Sequence, residues 1–325
     1  MHPAKAHVER VLAAVLSPRG PAMSPLVASW SRSVKLHGLD PAQTKAPVRL
    51  DDGALRDRRE AQDLLRHIAG RRLDDLFGMV GGSGCAALLC DADGIALERR
   101  CRASDRAVFE SWGLCAGADW SEAQQGTNGI GTCLTERRRV IIDRDEHFMA
   151  RNTAMSCIDA PIFGAEGQLL GALDVSSARS DQTEGINRLI AAMVAQTARN
   201  IEAEHFRMVF PAARILQLGH EGEDTVSLLA VDADDLVIGA TRGARRALGL
   251  VAVGPLTPVP AADLLGQEGM GGFHAAQRSA LIQALTRAQG NVSKAARGLG
   301  IGRATLYRQM KRLGLDKSAA ELSRR

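Results

Sequence analysis

The last fifty residues of this 325-residue chain hold the side chains with the clearest chemistry. Basic, amide and hydroxyl groups recur there at spacings that place many of them on one face of a helix. Arginine can donate two hydrogen bonds to guanine, glutamine can exchange two with adenine, and lysine or threonine can bind phosphates. The predicted DNA-contacting residues are Asn291, Ser293, Lys294, Arg303, Thr305, Tyr307, Arg308, Gln309, Lys311 and Arg312.

The charge of the chain is concentrated in the same region. Residues 274–325 contain eleven basic and two acidic residues, a net charge of +9, whereas the rest of the chain carries −5. The segment 274–310 has no acidic residue, although ordinary surface helices mix both signs. A basic module on an acidic body is typical of nucleic-acid-binding proteins. A solvated basic helical hairpin with no role in DNA binding is the alternative.

The elements that would position these side chains are two short helices joined by a tight turn. The stretch NVSKAARGLGIGRATLYRQMKRLGL predicts a helix capped by Asn291, a turn at Gly300 that needs a positive φ, and a second helix. QRSALIQALTRAQG predicts a helix before them. The residues expected in the small core are Leu281, Ile282, Leu285, Ala295, Ala296, Ile301, Leu306, Met310 and Leu313. The pattern is that of a helix-turn-helix.

A second group of chemically distinctive residues lies in a mixed block of strands and helices. Aromatic, thiol and carboxyl side chains there are candidates for a small-molecule pocket over a sheet. The candidates are Trp112, Trp120, Asn128, Thr132, Cys133, His147, Phe148, Cys157 and Asp159. Each has a structural alternative: core packing for the aromatic and cysteine residues, a helix cap for Asn128, and a loop position for His147. His147 lacks spaced partners for a metal site, so we expect no metal and no cofactor.

Two hairpins are expected to build this sheet. AALLC-DADG-IALERR turns at Asp93-Gly94, and DAPIF pairs with LLGALDVSS across Gly164–Gly167. Two long helices flank the block, over 51–78 and 181–210. Their expected buried stripes are Leu55, Leu64, Leu65, Ile68, Leu73, Leu76 and Phe77, and Ile186, Leu189, Ile190, Met193, Val194, Thr197 and Ile201.

A weaker copy of the first hairpin follows. VSLLAVDADDLVIGATRGARRALGL repeats the strand–DAD–strand pattern, with Asp232 in the place of Asp91. Asp235 stands where the first hairpin has Gly94, so this turn is less well specified. Residues 222–266 are few for an independent core, and 267–273 are predicted to be a linker.

Several separated motifs resemble one family of bacterial regulators. The tail resembles the Fis-type helix-turn-helix over 276–315. SWSRSVKLHGLDP, GTNGIGTCLTERRRVIIDRDEHF and SCIDAPIFGAEGQLLGALDVSS resemble the N-terminal half of acetoin-catabolism (AcoR-like) regulators. The resemblance implies an α+β multidomain protein. Its expected parts are an N-terminal helical region at 1–74, a GAF sensor domain at 75–210 with an antiparallel sheet and helices, a truncated PAS-like segment at 222–266, and an all-α DNA-binding domain at 274–325.

One departure from that family limits the mechanism. Enhancer-binding members carry an ATPase that remodels sigma-54 polymerase, but this sequence has no G-x-x-x-x-G-K-[ST] and no Gly-Lys dipeptide. Signatures of serine hydrolases, zinc proteases and dinucleotide-binding enzymes are also missing. We therefore expect an ATP-independent regulator and not an enzyme.

Composition bounds the remaining expectations. The chain is 45% hydrophobic and 24% charged, and its six cysteines form no C-x-x-C pair. No run of about 18 apolar residues occurs, so we expect a cytoplasmic, nucleoid-associated protein without membrane contact. The expected partners are double-stranded DNA, a second copy of the chain and a small-molecule effector, and a contact with RNA polymerase is left open. The alternative is an accessory or architectural DNA-binding protein whose GAF domain serves only dimerisation or partner binding.

Overall fold

A computed structural model describes residues 3–179, 181–219, 225–266 and 273–315. The chain divides into two compact units, residues 1–258 and 259–325, which are described separately. Most of the predicted linker, 267–272, and the last ten residues of the predicted tail, 316–325, lie outside the described residues. Within the described residues, no helix combines the length and apolar character needed to cross a membrane.

The first unit begins with five helices. They are α1 (Pro3–Leu16), α2 (Gly20–Met23), α3 (Pro25–Lys35), α4 (Asp52–Ala61) and α5 (Asp63–Val80). The expectation of a single helix over 51–78 is wrong, because the backbone leaves the helical region at Gln62 (φ −110°, ψ 23°). The interruption separates Leu55 from the stripe of α5, in which Leu65 and Ile68 are buried while Leu64 is 37% exposed.

A five-stranded antiparallel sheet forms the centre of this unit. Its strands are β1 (Cys85–Asp91), β2 (Ala96–Arg100), β3 (Val140–Asp143), β4 (Ser156–Phe163) and β5 (Leu169–Ser177), in the order β2-β1-β5-β4-β3. Both predicted hairpins are confirmed, as β1–β2 and β4–β5. Gly94 adopts φ +90° in the first turn, as its position requires. The short strand β3 was not expected from the sequence pattern.

Helices cover both faces of the sheet. On one face lie α6 (Arg106–Trp112), α7 (Glu122–Gln125) and α8 (Gly129–Glu136); on the other, α5 and α9 (Glu184–Val209) enclose a continuous apolar core. Within α9, Ile190, Val194, Thr197 and Ile201 are buried. The expected burial of Ile186 and Leu189 is wrong. Leu189 lies about 100° around the helix from Ile190, and Ile186 lies in the first turn.

A second, smaller antiparallel sheet follows α9. It contains β6 (Arg214–Gln217), β7 (Leu228–Val231) and β8 (Leu236–Ala240) in that order, and α10 (Arg242–Ala247) comes next. Phe206 of α9 packs with Leu228 and Ala230 of this sheet. The predicted echo is visible in the turns, since Asp91 and Asp232 each accept hydrogen bonds from the amides two and four residues ahead. Asp235 adopts φ +65° without being glycine.

The second unit is mostly helical. It contains β9 (Val259–Pro260), α11 (Ala261–Leu264), α12 (Phe273–Arg287), α13 (Val292–Gly298) and α14 (Arg303–Arg312). The last three helices share a small core, whose buried members are Leu281, Leu285, Ala288, Ala295, Ala296, Leu306, Met310 and Leu315. Ile282, Ile301 and Leu313 pack against it. The chain is thus an α+β multidomain protein with two antiparallel sheets and a helical C-terminal end.

Candidate functional site

The turn between α13 and α14 is built by local hydrogen bonds. The Asn291 side chain accepts from the backbone amide of Lys294 at 3.0 Å, which caps α13 as predicted. Gly300 ends that helix at φ +66°, and the amide of Ile301 donates to the carbonyl of Ala296 at 3.0 Å. The turn and the shared core therefore set the direction in which α14 leaves α13.

The two faces of α14 differ completely in character. Leu306 and Met310 are buried against α12 and α13, and Thr305 and Gln309 lie half-buried along the border. The exposed side chains are Arg303, Ala304, Tyr307, Arg308, Lys311 and Arg312. The helix thus presents four cations and one phenol ring to solvent, and residues 273–315 include no acidic side chain.

Some of the predicted DNA-contacting side chains already have partners within this unit. The Arg312 guanidinium donates to the side-chain oxygen of Gln277 at 2.7 Å, and the Arg303 guanidinium lies 5.7 Å from the centre of the Tyr307 ring. Lys294 is exposed and Ser293 half-buried on α13. A helix of this diameter fits the major groove of B-DNA, where arginine and glutamine can bond base edges and lysine can bind phosphate.

The candidate pocket residues belong to the first unit, and several lie on one face of its sheet. Cys157 of β4 stands opposite Ser176 of β5, and Asp159 stands opposite Asp174. All four are buried on the face that α8 covers, and the two carboxyl-bearing residues have no exposed surface. Asp174 and Ser176 were not predictable as members of this site, because only the register of β4 against β5 brings them to Asp159 and Cys157.

Hydrogen bonds join these side chains into a chain through the core. The Ser176 hydroxyl donates to the Asp174 carboxyl group (2.9 and 3.1 Å), and its oxygen lies 3.2 Å from Cys157 Sγ. Cys157 Sγ lies 3.4 Å from Nε2 of His147, whose Nδ1 donates to the Arg144 carbonyl at 2.9 Å. This assigns the Nδ1–H tautomer to His147, so its Nε2 accepts from the thiol. We call these residues (His147, Cys157, Asp159, Asp174 and Ser176) the polar chain.

Burial determines the protonation of the polar chain. It raises the pKa of Asp174 to about 7, and burial together with the neighbouring Asp174 holds the pKa of Asp159 well above its ordinary value. Burial lowers the pKa of His147 to about 4, so its imidazole is neutral at pH 7. The Cys157 thiol also has a raised pKa and stays protonated, which excludes a reactive thiolate there.

Asp159 is the least satisfied member of the polar chain. Among the described residues, no donor group bonds either of its carboxyl oxygens, although the two carboxyl groups are close enough to share a proton. The start of α8 lies directly above it. A Cβ on Gly129 would fall 2.0 Å from Asp159 Oδ2 and 2.5 Å from Cys157 Cβ, so only glycine permits this approach.

The other candidate pocket residues are more dispersed. Asn128 caps α8 by accepting from the Gly131 amide at 2.9 Å, and its own amide group donates to two carbonyls. The Trp120 indole donates to the Gly113 carbonyl at 3.0 Å, and Trp112 packs edge-on to Phe109. Cys133 belongs to the core above the sheet. Phe148 belongs to a separate apolar cluster with Val11, Val15 and Trp30.

The N-terminal helices close over the glycine-rich segment before α8. Ser29 and Ser33 of α3 both bond the Thr127 hydroxyl, at 2.7 and 3.5 Å, and Arg32 forms ion pairs with Glu122 and Glu136. A cavity of about 150 Å³ remains between α3, α8 and β3, lined in part by Thr132. The Thr132 hydroxyl is buried and has no hydrogen-bond partner among the described residues. The SWSRS motif thus joins α3 to the segment around α8, a role that the sequence alone did not reveal.

Metal ligation has no support in this arrangement. Within the part of the chain that the structure describes, no group of three or more histidine, cysteine, aspartate or glutamate side chains is placed to hold a metal ion.

Comparison with known families and proteins finds one known domain in each unit. Residues 64–201 match the GAF domain, and residues 275–313 match the family described as bacterial regulatory protein, Fis family. The crystal structure of the E. coli DhaR(N)–DhaL complex shares the fold, with a TM-score of 0.50 and 18% identity over 70% of this chain and 78% of that one. The chain therefore carries a GAF domain and a Fis-type helix-turn-helix domain.

Its relatives are regulators of catabolic operons. The acetoin catabolism regulatory protein of Cupriavidus necator is 33% identical over 74% of this chain and 36% of its own length. The acetoin dehydrogenase operon transcriptional activator AcoR of Bacillus subtilis is 31% identical over 46% of this chain, and the propane 2-monooxygenase operon activator MimR of Mycolicibacterium smegmatis is 29% identical over 47%. The match spans about a quarter of each of these two proteins. The chain is related to the AcoR-like regulators and spans about a third or less of the length of these relatives.

Proposed function

We propose that this regulator reads a promoter sequence through α14 and changes its DNA affinity when a small effector binds inside its GAF domain. The observation that carries the effector half is Asp159, a fully buried carboxyl group whose one partner in the described residues is the proton that it can share with Asp174. Buried polar groups without partners cost free energy, so their persistence calls for a ligand or another function. We expect the protein to act on the bacterial nucleoid in the cytoplasm.

The effector that fits this position donates hydrogen bonds. Asp159 offers carboxyl oxygens beneath the start of α8. A compact molecule with hydroxyl or ammonium groups would satisfy these oxygens. An effector can change DNA affinity only by its differential affinity for two arrangements of the protein, typically about 1–3 kcal/mol.

A homodimer follows from the DNA-binding module. One helix-turn-helix contacts a single half-site, and linking two modules raises the affinity for a paired site. Leu189 and Ile186, on the outer side of α9, leave apolar surface exposed (64% and 44%) and support a contact between two copies. Sedimentation of the purified protein at several concentrations tests this, and a monomer at micromolar concentration on operator DNA contradicts it.

The proposed mechanism uses no nucleotide hydrolysis. Its support is the sequence, which has no phosphate-binding loop with its lysine between the two matched domains. Regulation would then act through promoter occupancy or through a contact with RNA polymerase. ATP turnover that saturates with promoter DNA would show that the mechanism is different.

The second candidate is an accessory DNA-binding protein whose GAF domain only dimerises, which the exposed Leu189 and Ile186 also favour. Mapping the genomic binding sites supplies candidate effectors from the reactions encoded nearby. We expect one of them to raise the melting temperature saturably in the parent and in Asp57→Asn, an exposed control on α4, but not in Asp159→Asn. A response that Asp159→Asn retains removes the polar chain from effector binding.

A further inference from the structure

A cavity of about 330 Å³ lies in the first unit at the free edge of β4. Val140, the first residue of β3, pairs with Asp159, so Ala160–Phe163 have β5 on one side and no part of β3 on the other. The walls are this edge, α9, the segment that follows α8, and α10. The cavity is therefore bounded by elements on both sides of the junction between the GAF sheet and the second sheet.

The lining combines an apolar part with a concentration of positive charge. Five residues supply apolar surface, namely Ala160, Pro161, Phe163, Ala195 and Ala198. Six arginines line the rest: Arg137, Arg138, Arg139, Arg199, Arg242 and Arg246. Glu202 is the one carboxylate among the described lining residues, and Arg138 pairs with Glu136 beside the cavity, so the cationic groups still outnumber the carboxylates. Like charges gathered at a partly buried site repel one another unless an anion lies among them.

Two of these arginines have hydrogen-bonding capacity to spare. Arg242 donates to the carbonyl of Arg137 at 3.3 Å, and its guanidinium lies 3.9 Å from the centre of the Phe163 ring. Neither Arg137 nor Arg242 pairs with a carboxylate in the part of the chain that the structure describes. Burial and the adjacent Arg137 and Arg246 lower the pKa of Arg242, which reflects the crowding of positive charge.

The Glu202 carboxylate already has another role. It accepts a hydrogen bond from the Phe163 backbone amide at 2.8 Å, which satisfies the free edge of β4. Burial raises its pKa to about 7, so it is only partly ionised at neutral pH. Its charge therefore only partly offsets that of Arg242.

We propose that this cavity binds a small organic acid, with Arg137 and Arg242 holding the carboxylate and the alanines contacting the apolar body. A guanidinium group donates two parallel hydrogen bonds that match a carboxylate. The volume lies at the lower end of the range for small-molecule sites. A bound acid would stabilise the junction of the two sheets. The site is separate from the polar chain, which lies on the α8 face of the GAF sheet.

Calorimetry on the full chain tests the proposal with three probes at constant ionic strength: benzoate, benzamide and inorganic phosphate. Benzoate and benzamide share one body, so their difference isolates the charge. We expect benzoate to bind at one site and benzamide to bind at least about tenfold more weakly, because charged hydrogen bonds are the stronger ones. Equal binding of benzamide, or no binding of benzoate at millimolar concentration, overturns the proposal. If phosphate binds as tightly as benzoate, the alanines do not contact an apolar body, and that part of the proposal is wrong.

Two substitutions with opposite expected signs place the probe in this cavity. Arg242→Gln should weaken benzoate about tenfold, because it removes a charged donor. Glu202→Gln should tighten benzoate several-fold, because it removes the opposing carboxylate and keeps an acceptor for Phe163. Arg188→Gln, elsewhere on α9 and paired with Glu184, is the control and should change nothing. If Arg242→Gln fails to fold, an unchanged or weaker affinity in Glu202→Gln still overturns the site.

Discussion

The two units place their polar side chains in opposite environments. In the GAF domain His147, Asp159 and Asp174 have no exposed surface, so solvent cannot hydrogen-bond them. In the Fis-type domain Arg308 and Lys311 lie in solvent above a buried Leu306. The first arrangement makes stability sensitive to small changes in packing and protonation. The second leaves stability almost independent of the side chains that are predicted to contact DNA.

The largest expected effect comes from the point where α8 meets the polar chain. Gly129→Ala should destabilise the first unit by more than about 3 kcal/mol, because its Cβ overlaps Asp159 and Cys157 on two strands that cannot move apart freely. Gly70→Ala is the matched control. No atom lies within 4 Å of its added Cβ, and alanine favours the helix α5 by up to about 1 kcal/mol. Urea unfolding should show a lower free energy of unfolding for Gly129→Ala and a slightly higher one for Gly70→Ala than for the parent. Similar values for the two variants would show that the core is loosely packed.

The paired carboxyl groups should make stability fall with rising pH. Because the pKa of Asp174 is raised to about 7 in the folded protein, its stabilising contribution is present in acid and is lost as the pH rises through that value. Asp159→Asn removes the opposing carboxyl group, so its free energy of unfolding should exceed that of the parent by about 2 kcal/mol at pH 8.5 and differ little at about pH 3.5, below the pKa of an unfolded aspartate. Denaturant unfolding at both pH values measures this. A pH-independent difference would mean that the pair is not repulsive.

His147 should give a smaller pH dependence of stability, with the opposite sign. The pKa of this buried imidazole is about 4, below that of an unfolded histidine, so acid favours the unfolded chain between about pH 6.5 and 4. From pH 7.5 to 5.5 the parent should lose about 1 kcal/mol relative to His147→Asn, whose amide can still donate to the Arg144 carbonyl. Parallel pH profiles for the two proteins contradict the assignment.

The difference between the two domains also explains which features the sequence could predict. The helix-turn-helix depends on neighbours along the chain, so the cap at Asn291, the turn at Gly300 and the buried face with Leu306 were all predictable. The same holds for the hairpin turns at Gly94 and Asp235, although an aspartate at positive φ was not foreseen.

The polar chain, in contrast, depends on strand register. Asp174 lies fifteen positions from Asp159 and meets it only because β4 and β5 pair with that alignment. Local patterns also cannot reveal a helix interruption such as Gln62, or the contact that makes Gly129 indispensable. The arginine-lined cavity has the same origin, because the segment after α8, β4, α9 and α10 bring its lining together from distant parts of the chain.

The central claim is that α14 reads DNA through its exposed side chains, while the stability of the Fis-type domain depends on its buried ones. One titration tests this claim directly. Labelled operator and random DNA are titrated with the parent, Arg308→Ala and Lys294→Ala at several salt concentrations, after thermal unfolding has shown equal stability. Arg308→Ala should lose about 1–3 kcal/mol on the operator and relax the preference at one base pair. Lys294→Ala should weaken both DNAs alike and lower the salt slope by about one unit. If Arg308→Ala binds operator and random DNA as the parent does, α14 is not the reading helix.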